Sequence, residues 1–415
     1  MYRYGDHVFF SADDGTHGQE LWLSDGTTEG TNMLADLVAG PDSSAPCDFT
    51  PFGGTLVFRA ANKLWRTNGT LTGTTPITTM DQPDGVDAST GLTVVDELGF
   101  FTGLQNSSIW VLDADLRSAH LVFTVPLSGR IGFQPLTPRY AIGHHLVFGV
   151  WQFDFPQQLW TSDGTSEGTR MIAEDVAYLD SLGAQVLFIQ LGYGEGDNAL
   201  WATDGTVEGT IQLTNSLTQH TWNKSYFSDS VAGRLFFAEE NYSGEGWIAV
   251  SDGTTAGTQV LRQLTNPVDS LVAANDGAFF VQDQASLNRM HAELWHTDGT
   301  GDGTTLVRSF ESTNRNVRPE QMTFIENRLL FVKADEAHGT ELWQSDGSPE
   351  GTYLCQDLNP GPRSSLPRLH GGSVVLGENL ILAADDGVHG EELWSLPLNA
   401  LCGTTLYLPW VTSSK

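Results

Sequence analysis

A tryptophan-centred strand running into a Gly-Thr turn recurs along this chain in nine units of about 46 residues, the third without the Gly-Thr turn and the sixth with Ala249 at the tryptophan position. Clear copies read ELWLSDGTTEGT from Glu20, QLWTSDGTSEGT from Gln158, ALWATDGTVEGT from Ala199, ELWHTDGTGDGT from Glu293 and ELWQSDGSPEGT from Glu341. Weaker copies start at Lys63, Ile109, Ile248 and Glu392. A period in this range means that each repeat is one supersecondary unit, which buries its apolar surface only against its neighbours.

Each unit divides into four short runs rich in Val, Ile, Leu, Phe and Thr, separated by Gly, Asn and Asp. In the eighth unit they are residues 322–325, 328–333, 341–344 and 352–356. The second run is almost continuously apolar, as in HVFFSA from His7 and RLLFVK from Arg328. Such a run suits a strand covered on both faces. No helical periodicity persists over ten residues. Four-stranded units of this length, repeated radially, describe a β-propeller. The expectation is an all-β chain: one β-propeller domain over residues 1–415 with nine four-stranded blades. Eight blades with one unit displaced is the alternative. The opening MYRYGDHVFF aligns without a gap on Met322–Phe331, so the first unit reads as cut inside its innermost strand.

Composition narrows the partners. Fifty-one acidic residues against 20 basic ones leave a charge of −31. Binding nucleic acid phosphates needs clustered Lys and Arg, so nucleic acid is not an expected partner. No apolar run approaches the roughly 20 residues of a membrane helix, and membrane insertion is not expected. Of Cys47, Cys355 and Cys402, the last two fall near the outer strands of the last two units. The reading favours buried free thiols over a Cys355–Cys402 bridge, since connectivity cannot be read from sequence.

The residues Glu20-Leu21-Trp22 with Asp25-Gly26-Thr27, and Glu341-Leu342-Trp343 with Asp346-Gly347, carry a resemblance to bacterial proteins with ELWxxDGT repeats. Asp36-Leu37 and Asp357-Leu358-Asn359-Pro360-Gly361 extend it. The resemblance covers nearly the whole chain and is weakest in the third unit. It implies a secreted or surface-attached propeller of environmental bacteria, and it implies no catalytic motif.

Each repeated polar residue has a structural reading beside a functional one. The Asp of each Asp-Gly-Thr turn (Asp25, Asp163, Asp204, Asp252, Asp298, Asp346) can accept hydrogen bonds from the turn. Calcium is the alternative, but it wants six to eight oxygens and each turn offers one Asp and at times one Glu. The expectation is therefore no cofactor, with calcium as a second reading. The tryptophans read as blade-to-blade packing. Asp13, His17 and Glu20, or Asp385, His389 and Glu392, form metal-like sets in a loop that recurs in units one, eight and nine, but the Asp and Gly residues of that recurring loop read first as a turn.

That loop, between strands two and three, is replaced in units four to seven. There the chain carries Trp151, Phe153 and Phe155, then Tyr193, then Tyr242, then the longer Gln282–Ala292 with Met290 and His291. Aromatic residues on loops suggest a contact surface, and function concentrates on loops held by rigid scaffolds. These five aromatics are the expected ligand-binding residues. No nucleophile elbow, HExxH, phosphate-binding loop or Cys-x-x-Cys is present. The expected function is a non-catalytic secreted or surface scaffold, monomeric, binding a glycan or a protein. The alternatives are a carbohydrate-active enzyme using carboxylates at a central channel, and a calcium-assisted adhesive module.

Overall fold

The computed structural model describes residues 1–79, 86–103, 108–125, 139–150, 157–191, 198–214, 226–240, 246–264, 266, 268–275, 277–283, 290–312, 317–388, 390–402 and 406–407. Among them, strands form nine four-stranded sheets, and within each sheet successive strands pair antiparallel in chain order. These are nine blades of the β-propeller type, and helix among the described residues is the 3-10 turn Leu398–Ala400.

Blade 1 runs Tyr2–Tyr4, His7–Asp13, Gln19–Ser24 and Asn32–Ala35. Blade 8 runs Glu320–Ile325, Arg328–Asp335, Gly339–Ser345 and Tyr353–Gln356. Both match the repeat boundaries to within two residues. Blade 9 keeps its third strand, Glu391–Pro397, and closes with Leu406–Tyr407, which pairs with Trp394 and Ser395. Backbone contacts gather blades 1–5 into one compact unit and blades 6–9 into a second.

The core lies between blades, for the reason the apolar second strands suggest. In blade 8, Leu329 and Phe331 pack with blade 7 residues such as Val281 and Leu294, while Leu330 and Val332 pack with Leu380 and Leu382 of blade 9. In blade 2, Leu56 and Phe58 join Phe9 and Leu21 of blade 1, while Val57 joins Phe101 and Leu112 of blade 3. Alternate side chains point to opposite faces, so one strand serves two interfaces.

The tryptophans belong to the same interfaces. Trp65 stacks on Phe58 with ring centroids 6.4 Å apart, and Trp160 lies 4.7 Å from Phe123 of the preceding blade. Trp343 packs on Phe310 of blade 7, and Trp394 on the blade 8–9 cluster. In blade 6 the ring comes from Trp247, two residues before the repeat position, and packs edge-on against Phe237 at 5.6 Å.

Cys355 and Cys402 form a disulfide, where the sequence favoured free thiols. Cys355 is in the outer strand of blade 8, and Cys402 follows the 3-10 turn that replaces the Asp-Gly-Thr turn of blade 9. Spacing in sequence, 47 residues, holds no sign of this proximity; stacking of neighbouring blades creates it. Cys47 is a free thiol.

Candidate functional site

The Asp-Gly-Thr turns close on local bonds, and in blade 5 Gly205 O also accepts from Thr161 Oγ1 of blade 4 at 2.7 Å. In blade 5, Asp204 Oδ1 accepts from the backbone N–H of Thr206 at 2.9 Å and from its hydroxyl at 2.7 Å. The Thr206 hydroxyl oxygen accepts from Gly209 N at 2.9 Å. Thr210 donates to Thr206 O at 2.6 Å, and the hydroxyls of Thr203 and Thr210 meet at 2.8 Å across the turn. The same scheme holds at Asp25, Asp163, Asp252, Asp298 and Asp346, and at Asn68 in blade 2. The Thr206 hydroxyl holds the Asp204 carboxyl below the usual carboxylate range, as its counterparts do in the other turns.

In blades 4 and 5 both glycines of the motif are needed for space. The first docks the turn on the preceding blade: a Cβ at Gly164 would strike Leu98, and one at Gly205 would press on His145. It also takes a positive φ, 91° at Gly205. The second lies under the carboxylate of its own Asp, as Gly209 does under Asp204.

At the other end of the blade, the motif's Glu ties the chain to the next blade. Glu341 accepts from Leu358 N at 2.9 Å, from Ser365 N at 2.8 Å, and from the Ser365 hydroxyl. Glu20 repeats this with Leu37 N and Ser44, its hydroxyl at 2.6 Å. Both glutamates are fully buried. The carboxyl of Glu341 is pushed up to about 7 by burial, against the opposing pull of Ser365 and Leu358 N. In blade 7 the equivalent Glu293 instead accepts from its own strand's Trp295 Nε1 at 3.1 Å.

The loop between strands two and three packs on that linker. Gln19 N donates to Ser43 Oγ at 2.9 Å, and Thr340 N to Ser364 Oγ at 3.0 Å. Within the loop, His17 Nδ1 lies 2.7 Å from Asp14 Oδ2, which raises the imidazole pKa and holds Asp14 at about 2. Asp13 caps Gly15 N at 2.7 Å. The set Asp13, His17 and Glu20 is thus divided among three different partners. Among the described residues, no group of three His, Cys, Asp or Glu side chains stands where it could hold a metal. The set Asp385, His389 and Glu392 includes His389, which lies outside the described residues, while Asp385 caps Gly387 N at 2.7 Å.

The five aromatics expected at the ligand surface, Trp151, Phe153, Phe155, Tyr193 and Tyr242, all lie outside the described residues. Of blade 7's longer connection, Met290 and His291 belong to the third strand, Met290–Thr297. His291 Nε2 stands 4.0 Å from carboxylate oxygens of Glu293 and Glu311.

By fold, the chain belongs to the β-propeller class of repeat architectures. No family model and no curated protein matches the sequence. Similar solved structures include Saccharomyces cerevisiae Sqt1, at 8% identity and a TM-score of 0.46, covering 86% of this chain and 97% of that one. Puromycin hydrolase is 13% identical with a TM-score of 0.37, over 76% of this chain and 53% of that one. The tricorn protease is 11% identical with a TM-score of 0.33, over 95% and 44%. At these values the likeness assigns no activity to the chain.

Proposed function

We propose that this protein is a non-catalytic, secreted or surface-attached binding scaffold, which takes a glycan or protein ligand on loops between strands two and three. One observation carries the reading. The repeated polar residues of the turns and linkers are engaged by their own blade or linker, so the repeated motif serves the scaffold itself. What departs from the motif is the loop series with Trp151, Phe153, Phe155, Tyr193 and Tyr242. Large aromatic rings supply contact area and a polar edge, which suits sugar and protein surfaces alike. The disulfide supports an oxidising compartment, where such bonds persist. The resemblance to ELWxxDGT-repeat proteins points the same way.

A glycan array and a surface-protein panel, each read with calcium and with chelator, test the proposal. Saturable binding that Trp151→Ser with Phe153→Ser abolishes, at an unchanged melting temperature, is the expected result. Turnover of any glycan, or a large fall in melting temperature in the double variant, overturns it.

A further inference from the structure

At or just before the first strands of blades 4 and 8, two arginines reach back by the same distance in sequence and meet different partners. In blade 8, Arg318 donates Nη1 to Asp269 Oδ1 at 2.7 Å, 49 residues earlier, and Nη2 to Glu320 Oε1 at 3.2 Å. In blade 4, Arg139 opens the first strand, Arg139–Ile142, and also reaches back 49 residues. Its Nη1 donates to the Thr90 hydroxyl at 2.9 Å, and Nη1 and Nη2 share Gly91 O at 3.4 and 3.3 Å.

Thr90 therefore stands where blade 7 has Asp269. The guanidinium that two carboxylates neutralise at Arg318 is met at Arg139 by neutral oxygens. Among the described residues, no carboxylate comes within ion-pair distance of Arg139. Asp48 acts on it only at longer range, and Asp48 Oδ2 is already bonded to Arg59 Nε at 3.0 Å and to Gly91 N at 3.2 Å. Arg59, Asp48 and Arg139 together leave one positive charge in a protein of charge −31. Arg139 is desolvated enough that burial lowers its pKa, yet it is not sealed from solvent. A half-buried, unneutralised cation costs free energy unless an anion reaches it.

The donors left over define the anion. Arg139 has five N–H groups. Thr90 and Gly91 take those of Nη1 and one of Nη2. The Nε–H and the second Nη2–H remain, lying parallel along one edge of the guanidinium. That edge fits a planar, two-oxygen acceptor. A phosphate dianion would ask for a second cation, and Arg59 is committed to Asp48.

We propose that Arg139 anchors an anion-binding site where the first strand of blade 4 starts, beside the segment that leads into blade 3, taking the carboxylate of a small acidic ligand along its Nε–Nη2 edge. The site uses none of the loop aromatics, so it stands or falls apart from the loop proposal.

Glucuronate, with glucose as the neutral counterpart and inorganic phosphate as the competing anion, is the probe, titrated calorimetrically at low ionic strength. The expected result is saturable glucuronate binding, with none for glucose and weaker binding for phosphate. Arg139→Gln should weaken it by about tenfold or more, the worth of a charge-assisted bidentate pair. Thr90→Asp gives Arg139 the partner that Asp269 gives Arg318. It should abolish glucuronate binding without lowering the melting temperature, which guards against a folding defect in the first variant. Trp151→Ser with Phe153→Ser should leave the titration unchanged. Absence of glucuronate binding in the parent protein, binding in Arg139→Gln and Thr90→Asp as tight as in the parent, or tighter binding of phosphate overturns the proposal.

Discussion

Gly209 lies directly beneath the carboxylate of Asp204, so closely that a Cβ there would occupy the space of the carboxylate oxygens. Six residues of chain make a turn in which a side chain fills the place of a missing one. The same pairing joins Asp25 to Gly30, Asp163 to Gly168, Asp252 to Gly257, Asp298 to Gly303 and Asp346 to Gly351.

Asp204→Ala should destabilise by about 1–2 kcal/mol, since two hydrogen bonds to Thr206 are lost. Gly209→Ala should cost about 1–3 kcal/mol by overpacking against the carboxylate. The double variant should cost clearly less than the sum, because removing Asp204 makes room for the new methyl. Urea denaturation of the three variants checks this. Additive losses would show that Gly209 is needed for some other reason.

Glu341 links stability to pH. Its folded-state pKa, about 7, lies above the ordinary 4.5, so the folded protein holds this proton more tightly than the unfolded chain. The resulting stability is fully present below about pH 4.5 and is lost as pH rises through 7. Glu341→Gln, which stays neutral, should flatten this part of the stability profile between pH 5 and 8. An unchanged slope in thermal melts would mean that the hydrogen bonds from Ser365 and Leu358 keep the carboxylate ionised.

Lys333 has the opposite sign. Its ammonium lies 4.0 Å from the centroid of Trp343 and 5.0 Å from that of Phe310, and donates to Ala334 O at 2.9 Å. Burial lowers its pKa from 10.5 to about 8. Protonation therefore opposes folding below about pH 8, and that penalty fades as pH rises toward 10.5. Lys333→Met should melt no lower than the parent at pH 7, and should lose any advantage by pH 10. A marked drop at pH 7 would show that the cation–π contacts outweigh desolvation.

The disulfide takes over a docking role. Blade 9 has no Asp-Gly-Thr turn to seat on blade 8, and among the described residues its outer strand pairs through Trp394 and Ser395. Replacing Cys355 and Cys402 by Ser should cost roughly 3–4 kcal/mol for a loop of this length. Hydrogen exchange should speed up first in Glu391–Pro397. Uniform loss of protection across blades 6–9 would instead mark one cooperative unit.

The turn and the repeat were legible in the chain because both rest on neighbours in sequence. Asp204, Thr206, Gly209 and Thr210 need only each other, so their spacing states their geometry. The apolar second strand likewise announces two buried faces, and blade stacking supplies them. The role of Glu341 was not legible, since its partners Leu358 and Ser365 lie 17 and 24 residues away and look like ordinary linker residues. The Cys355–Cys402 bond, the span from Arg139 to Thr90 and the enclosure of Lys333 belong to the same kind. Each joins one blade to the next, at separations set by blade length rather than by any local pattern. The chain's own chemistry determined how a blade is made, because hydrogen bonds within a turn are short-range. Only the stacking of blades decided which charges are paired, which thiols meet and which cation faces neutral oxygens, because those depend on what the next repeat places opposite.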